Sequence, residues 1–391
     1  MRNLGQCFCV VFKNITVEPV LFLYMLGVYL LYSVFQNLVY EKVCLEHNNS
    51  TVCADLYHPD HEDQLTLVQQ EASYWIKVST FAMVLPSIVV DCYMGSWSDV
   101  FGRKPTLLLP PFGAFLGALV YCYMEAYSSH VGWICLASFF FGMFGSFTGI
   151  LTAVLAYMSV VSPLKQRTTR ISILLSMNFL AGTTGPFASG YLATNFSPLF
   201  VFVCIAACHL LCMSYTLIFV DNIYPNGMTK PLEWNWTQIF SLGHLKSSFR
   251  ICFVERSGNE KRNILVLLVM LIILQLITAG EMDIVFLFLK DKPIKMEFQM
   301  FSYWFGSRYG MSSLMLLVLM PILKQTLKVQ DKWVCLMGLL SKMSALTLLS
   351  FSFSVTMAFW DVPLGCFGSF AITSMRSMLS QNVEEHEQGE L

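Results

Sequence analysis

The chain has 391 residues, of which 55% are apolar and only 13% charged, with a formal net charge of −1. An ordinary soluble domain is about 45–50% apolar and about 25% charged, so water is not the main solvent of this chain. No basic stripe interleaved with aromatic residues stands out, so nucleic acid is not expected as a partner.

The apolar residues come in blocks close to the roughly 20 residues that cross the hydrocarbon core of a bilayer. In chain order they predict ten spans, over residues 19–40, 76–95, 105–125, 131–158, 171–193, 198–220, 263–288, 299–323, 333–353 and 358–378. The first is read as a span because residues 1–17 hold no small-residue cleavage site behind an apolar run, as a signal peptide would. With the amino terminus inside, seventeen Lys and Arg fall on the cytoplasmic side, among them Arg103, Lys104, Arg167 and Arg170. Five, Lys42, Lys77, Lys290, Lys292 and Lys295, fall outside, and Arg308 and Lys342 lie within spans. The positive-inside bias therefore predicts a cytoplasmic amino terminus.

Residues 41–75 read as an acidic external loop. Cys44 and Cys53 share it, and an oxidising lumen predicts a disulfide between them. Two overlapping glycan sequons start at Asn48 and Asn49 in the same loop, whereas the sequon at Asn14 faces the cytoplasm and is expected to be silent. The remaining cysteines read as small apolar residues. The longest polar break divides the chain into a six-helix bundle over 1–221, a cytoplasmic linker over 222–262 and a partial bundle of four helices over 263–391. In the linker, Trp234-Asn235-Trp236 reads as an anchor at the inner interface. On the fourth span, Gly142, Gly145 and Gly149 form a small-residue stripe suited to close helix packing.

The most informative segment is Gly95-Ser96-Trp97-Ser98-Asp99-Val100-Phe101-Gly102-Arg103-Lys104, between the second and third spans. It places an acid, two flexible glycines and two cations in one turn at a membrane edge. An Asp99–Arg103 ion pair there can favour one conformation over another, the two-state element that alternating access requires. Gly95, Asp99, Gly102, Arg103 and Lys104 are accordingly the candidate gate. The pattern Gly-x-x-x-Asp-x-x-Gly-Arg-Lys, with six spans, a linker and further spans, resembles the major facilitator superfamily.

A narrower resemblance rests on Val17-Glu18-Pro19, the Gly95–Asp99 run, Arg167-Thr168-Thr169-Arg170, Asp283, Arg376-Ser377-Met378-Leu379-Ser380 and Glu387-Gln388-Gly389. In order and spacing these are similar to solute carrier family 46, the proton-coupled folate transporter family. The resemblance implies an all-α polytopic membrane protein of the major facilitator fold, with two helical bundles. It also implies a secondary active transporter of organic anions such as folates, haem-like compounds, cyclic dinucleotides or muropeptides, in the plasma membrane or the lysosome. The pattern breaks off where the family's eleventh helix begins, which reads as a truncated form ahead of a true ten-span protein. A transport-inactive relative acting as a membrane adaptor is the alternative. Where proton-coupled members keep carboxylates this chain has Ser146 and Leu175, so proton coupling by that route is not expected; the tenth-span arginine is kept as Arg376.

Ionisable groups within a bilayer are costly and default to functional candidates. Here they are Asp91, Glu281, Asp283, Arg308, Lys342, Asp361 and Arg376, with His209 beside them. Glu281 and Asp283 are two residues apart and point about 200° from one another on a helix, so at most one faces a given cavity. Asp283 is favoured by the resemblance, and Glu281 is read as the partner of a nearby cation. Arg308 needs a carboxylate or an anionic ligand; substrate, Asp283 and a permanent internal ion pair all remain open. Asp361 is expected to be solvated, Asp91 to join the charges of the gate, Lys342 to reach toward the cytoplasm and His209 to be a hydrogen-bonded packing residue. No phosphate loop, metal-ligand spacing or nucleophile–base pair stands out, so neither an enzyme nor a cofactor is expected. The expected partners are a small organic solute, protons and the bilayer.

Overall fold

A computed structural model describes residues 16–54, 56, 61–127, 129–162, 167–224 and 260–381. Most of the 222–262 linker with Trp234 and Trp236, the Asn14 sequon start, the tail Glu387-Gln388-Gly389 and the side chain of Asp99 lie outside the described residues. The described chain is helical: α1 Glu18–His47, α2 Ser50–Ala54, α3 Glu62–Phe101, α4 Arg103–Tyr127, α5 Trp133–Met143, α6 Ser146–Val161, α7 Arg167–Asn195 and α8 Pro198–Phe219. After the linker come α9 Glu260–Lys290, α10 Phe298–Pro321, α11 Asp331–Ser350, α12 Val355–Phe359, α13 Asp361–Gly365 and α14 Gly368–Gln381. Among the described residues nine helical segments are long and apolar enough to cross a bilayer. The fifth expected span, α7, is a 29-residue helix that falls outside those nine.

Three expectations about helix extent are corrected. The external loop over 41–75 is largely helix, because α1 runs on to His47 and α3 starts at Glu62. At about 1.5 Å per residue the 40 residues of α3 exceed any hydrocarbon core. The fourth span is two helices, α5 and α6. Gly145 adopts a positive φ of 94° and Ser146 one of 49°, so the helical hydrogen-bond ladder stops between them. The tenth span comprises α12, α13 and α14, interrupted near Trp360 and Cys366.

The chain divides into two compact units, one of residues 1–35, 78–185 and 195–241, the other of residues 36–77, 186–194 and 242–391. In the first, α4 packs on α5, α6 and α8. Its core holds Leu107, Tyr121, Met124, Ile134 and Phe202, with the Tyr121 and Phe202 rings stacked at 5.6 Å. Ser197 caps α8 by accepting from the Phe200 amide, and Pro198 takes the first helical position, where a missing amide proton costs nothing. Gly142 lies so close to the Met83 carbonyl that a Cβ would strike it, so the small-residue stripe serves packing.

In the second unit α14 packs on α9 and α11, and α13 on α10 and α11. Buried Phe286, Phe301, Trp304 and Phe305 form an aromatic column, with Phe286 and Phe301 edge to face at 4.9 Å. Much of α9 carries exposed apolar side chains, among them Val266, Val269, Ile272, Ile273, Leu276 and Ile277, as a lipid-facing surface does. At the end of this unit that carries the cysteines, Cys44 and Cys53 are joined with Cα atoms 5.9 Å apart. Lys292 pairs with Glu62 at 2.7 Å and His47 with Glu71 at 2.5 Å.

Asn49 is exposed, while Asn48 is partly covered and its side-chain nitrogen is buried. If the chain is glycosylated in cells, Asn49→Gln is expected to abolish the mobility shift caused by glycosidase digestion, and Asn48→Gln to leave it.

Candidate functional site

Four ionisable side chains of the second unit converge. α9 contributes Glu281, α10 Arg308, α11 Lys342 and α13 Asp361. Arg308 Nη1 lies 2.6 Å from Glu281 Oε1, and its Nε lies 3.1 Å from Asp361 Oδ2. Lys342 Nζ is 3.2 Å from Glu281 Oε2 and donates to the Thr278 hydroxyl at 2.7 Å. Trp304, one turn before Arg308 on α10, places its ring 4.9 Å from the guanidinium carbon. The indole is itself held by its Nε1 proton, donated to the Ala358 carbonyl at 3.0 Å. The interruption near Trp360 turns the chain so that Asp361 opens α13 inside the bundle.

The cluster contains two positive and two negative groups, so it is neutral when all four are ionised. Asp361 has no exposed surface, Glu281 keeps 9% of its side chain exposed, Lys342 16% and Arg308 21%. Glu281 is held from two sides, by Arg308 and by Lys342. Both Asp361 oxygens lack a hydrogen-bond partner among the described residues, so Arg308 meets Asp361 through charge alone. Such pairs hold mainly because removing either charge strands the other in a medium that solvates it poorly.

This geometry revises several sequence expectations. Arg308 meets Glu281 and Asp361, not Asp283. Asp283 is half-buried and has no ion-pair partner among the described residues; its position two residues beyond Glu281 turns it to another face. Asp361 is fully covered rather than solvated, because α13 packs on α10 and α11. Lys342 turns to Glu281 and Thr278 instead of reaching for the cytoplasm. Arg376 is exposed on α14 and takes no part in the cluster. His209 is fully buried with no hydrogen-bond partner on either ring nitrogen, and packs edge-on against Tyr24 at 5.4 Å and Phe141 at 6.2 Å. Trp304 and Thr278 escaped the sequence reading, although their spacing of four from Arg308 and three from Glu281 was available as a signal.

In the first unit the segment from Gly95 to Lys104 is docked at one end. Gly95 is part of α3 and Gly102 breaks the chain between α3 and α4 with a φ of 89°. A Cβ on Gly102 would strike the side chain of Asn222, just past α8. The Asn222 oxygen accepts from the Lys104 amide at 3.1 Å, and its nitrogen donates to the Phe101 carbonyl at 3.1 Å. The Arg103 amide donates to the Ile223 carbonyl at 2.9 Å, Arg103 Nη1 to Ser98 at 2.7 Å and Lys104 Nζ to the Leu217 carbonyl at 2.8 Å. Asp91 does not join these charges; it accepts from Ser87 and Thr148. Glu18 at the start of α1 and Arg170 in the first turn of α7 approach to 3.9 Å. Among the described residues no group of His, Cys, Asp and Glu has the arrangement of a metal site.

The sequence pattern of the Major Facilitator Superfamily matches residues 19–391. The chain is 25% identical to the lysosomal proton-coupled steroid conjugate and bile acid symporter SLC46A3 of Gallus gallus, over 96% of this chain and 82% of that protein. It is 23% identical to the proton-coupled folate transporter of Bos taurus, over 83% of this chain and 68% of that protein. Among solved structures, the human organic anion transporter MFSD10 (TETRAN) superposes with a TM-score of 0.61 at 14% identity, covering 96% of this chain and 86% of that one. A POT family transporter in complex with 5-aminolevulinic acid superposes with a TM-score of 0.65 at 12% identity, covering 96% and 85%.

Asp361→Leu leaves Arg308 with one carboxylate and is expected to cost about 3–5 kcal/mol of stability. Adding Arg308→Met, which leaves Glu281 paired with Lys342, is expected to recover most of that loss. Melting curves of the single and double variants in detergent check the cycle.

Proposed function

The chain belongs to the Major Facilitator Superfamily, and on that premise we propose that it is a secondary transporter of organic anions of the family 46 type, with Arg308 as the substrate-binding cation. The likeness to proton-coupled carriers of steroid conjugates, bile acids and folate supports a carboxylated or sulfated organic anion as the substrate class. The observation that carries this reading is the neutral cluster of Glu281, Arg308, Lys342 and Asp361. In a poorly polarisable interior a net charge is expensive, so the cluster favours compositions that stay neutral. Protonating Glu281 releases one positive charge from Arg308 and Lys342, and an anionic solute restores the balance. One proton and one negative charge therefore enter together, which is symport.

The planar fork of Arg308 suits a carboxylate or sulfate. Trp304, fully buried beside it, gives the guanidinium an aromatic face that helps to hold it in place. Alternating access supplies the motion, with the spans up to residue 221 and those from residue 263 as the two moving parts. The gate segment from Gly95 to Lys104 faces the cytoplasm in this reading, and Cys44, Cys53 and Asn49 face the lumen or the cell exterior.

In cells expressing the chain, uptake of a labelled panel holding a sulfated steroid, a bile acid and folate is expected to include at least one substrate whose entry rises toward acidic pH. Arg308→Gln is expected to abolish that uptake at unchanged surface expression, and Glu281→Gln to flatten its pH dependence. Full uptake by Arg308→Gln removes the proposal.

A further inference from the structure

The break in the fourth span lies beside another carboxylate, one that no cation pairs with among the described residues. Asp91 lies on α3 within the predicted second span. Its Oδ2 accepts from the Ser87 hydroxyl one turn earlier, at 3.3 Å, and from the Thr148 hydroxyl at the start of α6. Both hydroxyls also approach the Gly145 carbonyl, at 3.4 Å and 3.3 Å. The other oxygen, Oδ1, is buried and has no hydrogen-bond partner. It faces the backbone of Gly145 and Gly149, where an added Cβ would come within 3.2 Å of it, next to the Met94 methyl group. No Lys, Arg or His pairs with Asp91 among the described residues, and Tyr24 of α1 is a titratable side chain within reach of its charge.

A covered carboxylate oxygen without a donor calls for a positive partner. The surrounding polar atoms are oxygens: two hydroxyls and a carbonyl at an interrupted helix. Interrupted membrane helices are where carbonyl oxygens and carboxylates hold Na⁺ or H⁺ in other transporter folds. We propose that Asp91, with Ser87, Thr148 and the Gly145 carbonyl, forms a monovalent cation site that takes a proton or a sodium ion. The site lies in the first unit and is separate from the Arg308 cluster, so it adds an ion to the uptake reading and does not depend on the identity of the solute.

The test uses the purified full chain in nanodiscs and no solute. Melting temperature is measured while sodium chloride replaces choline chloride at constant ionic strength, and separately while pH is lowered. A ligand that binds only the folded state raises the melting temperature as its concentration rises. The expected result is a rise of a few degrees in one arm, absent in Asp91→Asn: a sodium response identifies an alkali-ion site, and a response to acid alone identifies a proton site. No response in either arm, or one retained in full by Asp91→Asn, overturns the proposal. Should Asp91→Asn fail to fold, Thr148→Ala keeps the carboxylate and is expected to move the midpoint of the response to higher cation concentration. An unmoved midpoint overturns it equally.

Discussion

Four charges in a medium that solvates charge poorly must sum to nearly zero, and the second unit is organised around that constraint. Glu281, Arg308, Lys342 and Asp361 come from four different helices, so each helix is positioned partly by the charge it must deliver. Asp361 reaches its place because the chain bends near Trp360, and Trp304 is fixed by its bond to the Ala358 carbonyl just before that bend. The aromatic column of Phe286, Phe301 and Phe305 supplies the packing that makes the arrangement rigid.

The first unit manages its polar groups in another way. The segment from Gly95 to Lys104 is tied by backbone and amide bonds to the end of α8, through Asn222 and Ile223. Gly102 permits this because its φ of 89° leaves no Cβ to collide with Asn222. The Glu18 and Arg170 pair lies at the start of α1 and of α7. These contacts hold the turn between α3 and α4 through several weak interactions, none of which dominates.

The features legible in the sequence were those that depend on local pattern. Blocks of apolar residues marked the spans, the Gly95–Lys104 run marked the turn between α3 and α4, and Cys44 and Cys53, nine residues apart, marked a closed loop. Partner choice among Glu281, Asp283, Asp361, Arg308 and Lys342 was not legible, because each lies on a different helix or face and only packing decides which meet. The break at Gly145 was hidden for a related reason. Glycine stripes serve close packing far more often than they end helices, and here Gly142 does the first while Gly145 does the second. Asp361 looked solvated because it lies near the end of an apolar block, and the bend that buries it depends on contacts with α10 and α11. The acidic segment over 41–75 looked like loop because polarity, not helical period, dominates it.

The central claim, that the Arg308 cluster takes up a proton together with an anionic charge at constant net charge, is tested most directly by counting protons during binding. Calorimetric titration of the purified chain with a sulfated steroid, in two buffers of different ionisation enthalpy, gives that count without transport or a membrane potential. The account predicts uptake of close to one proton per steroid bound, falling to near zero in Glu281→Gln. Binding with no proton exchange in the unaltered chain, or with the same exchange after Glu281 is neutralised, would contradict it.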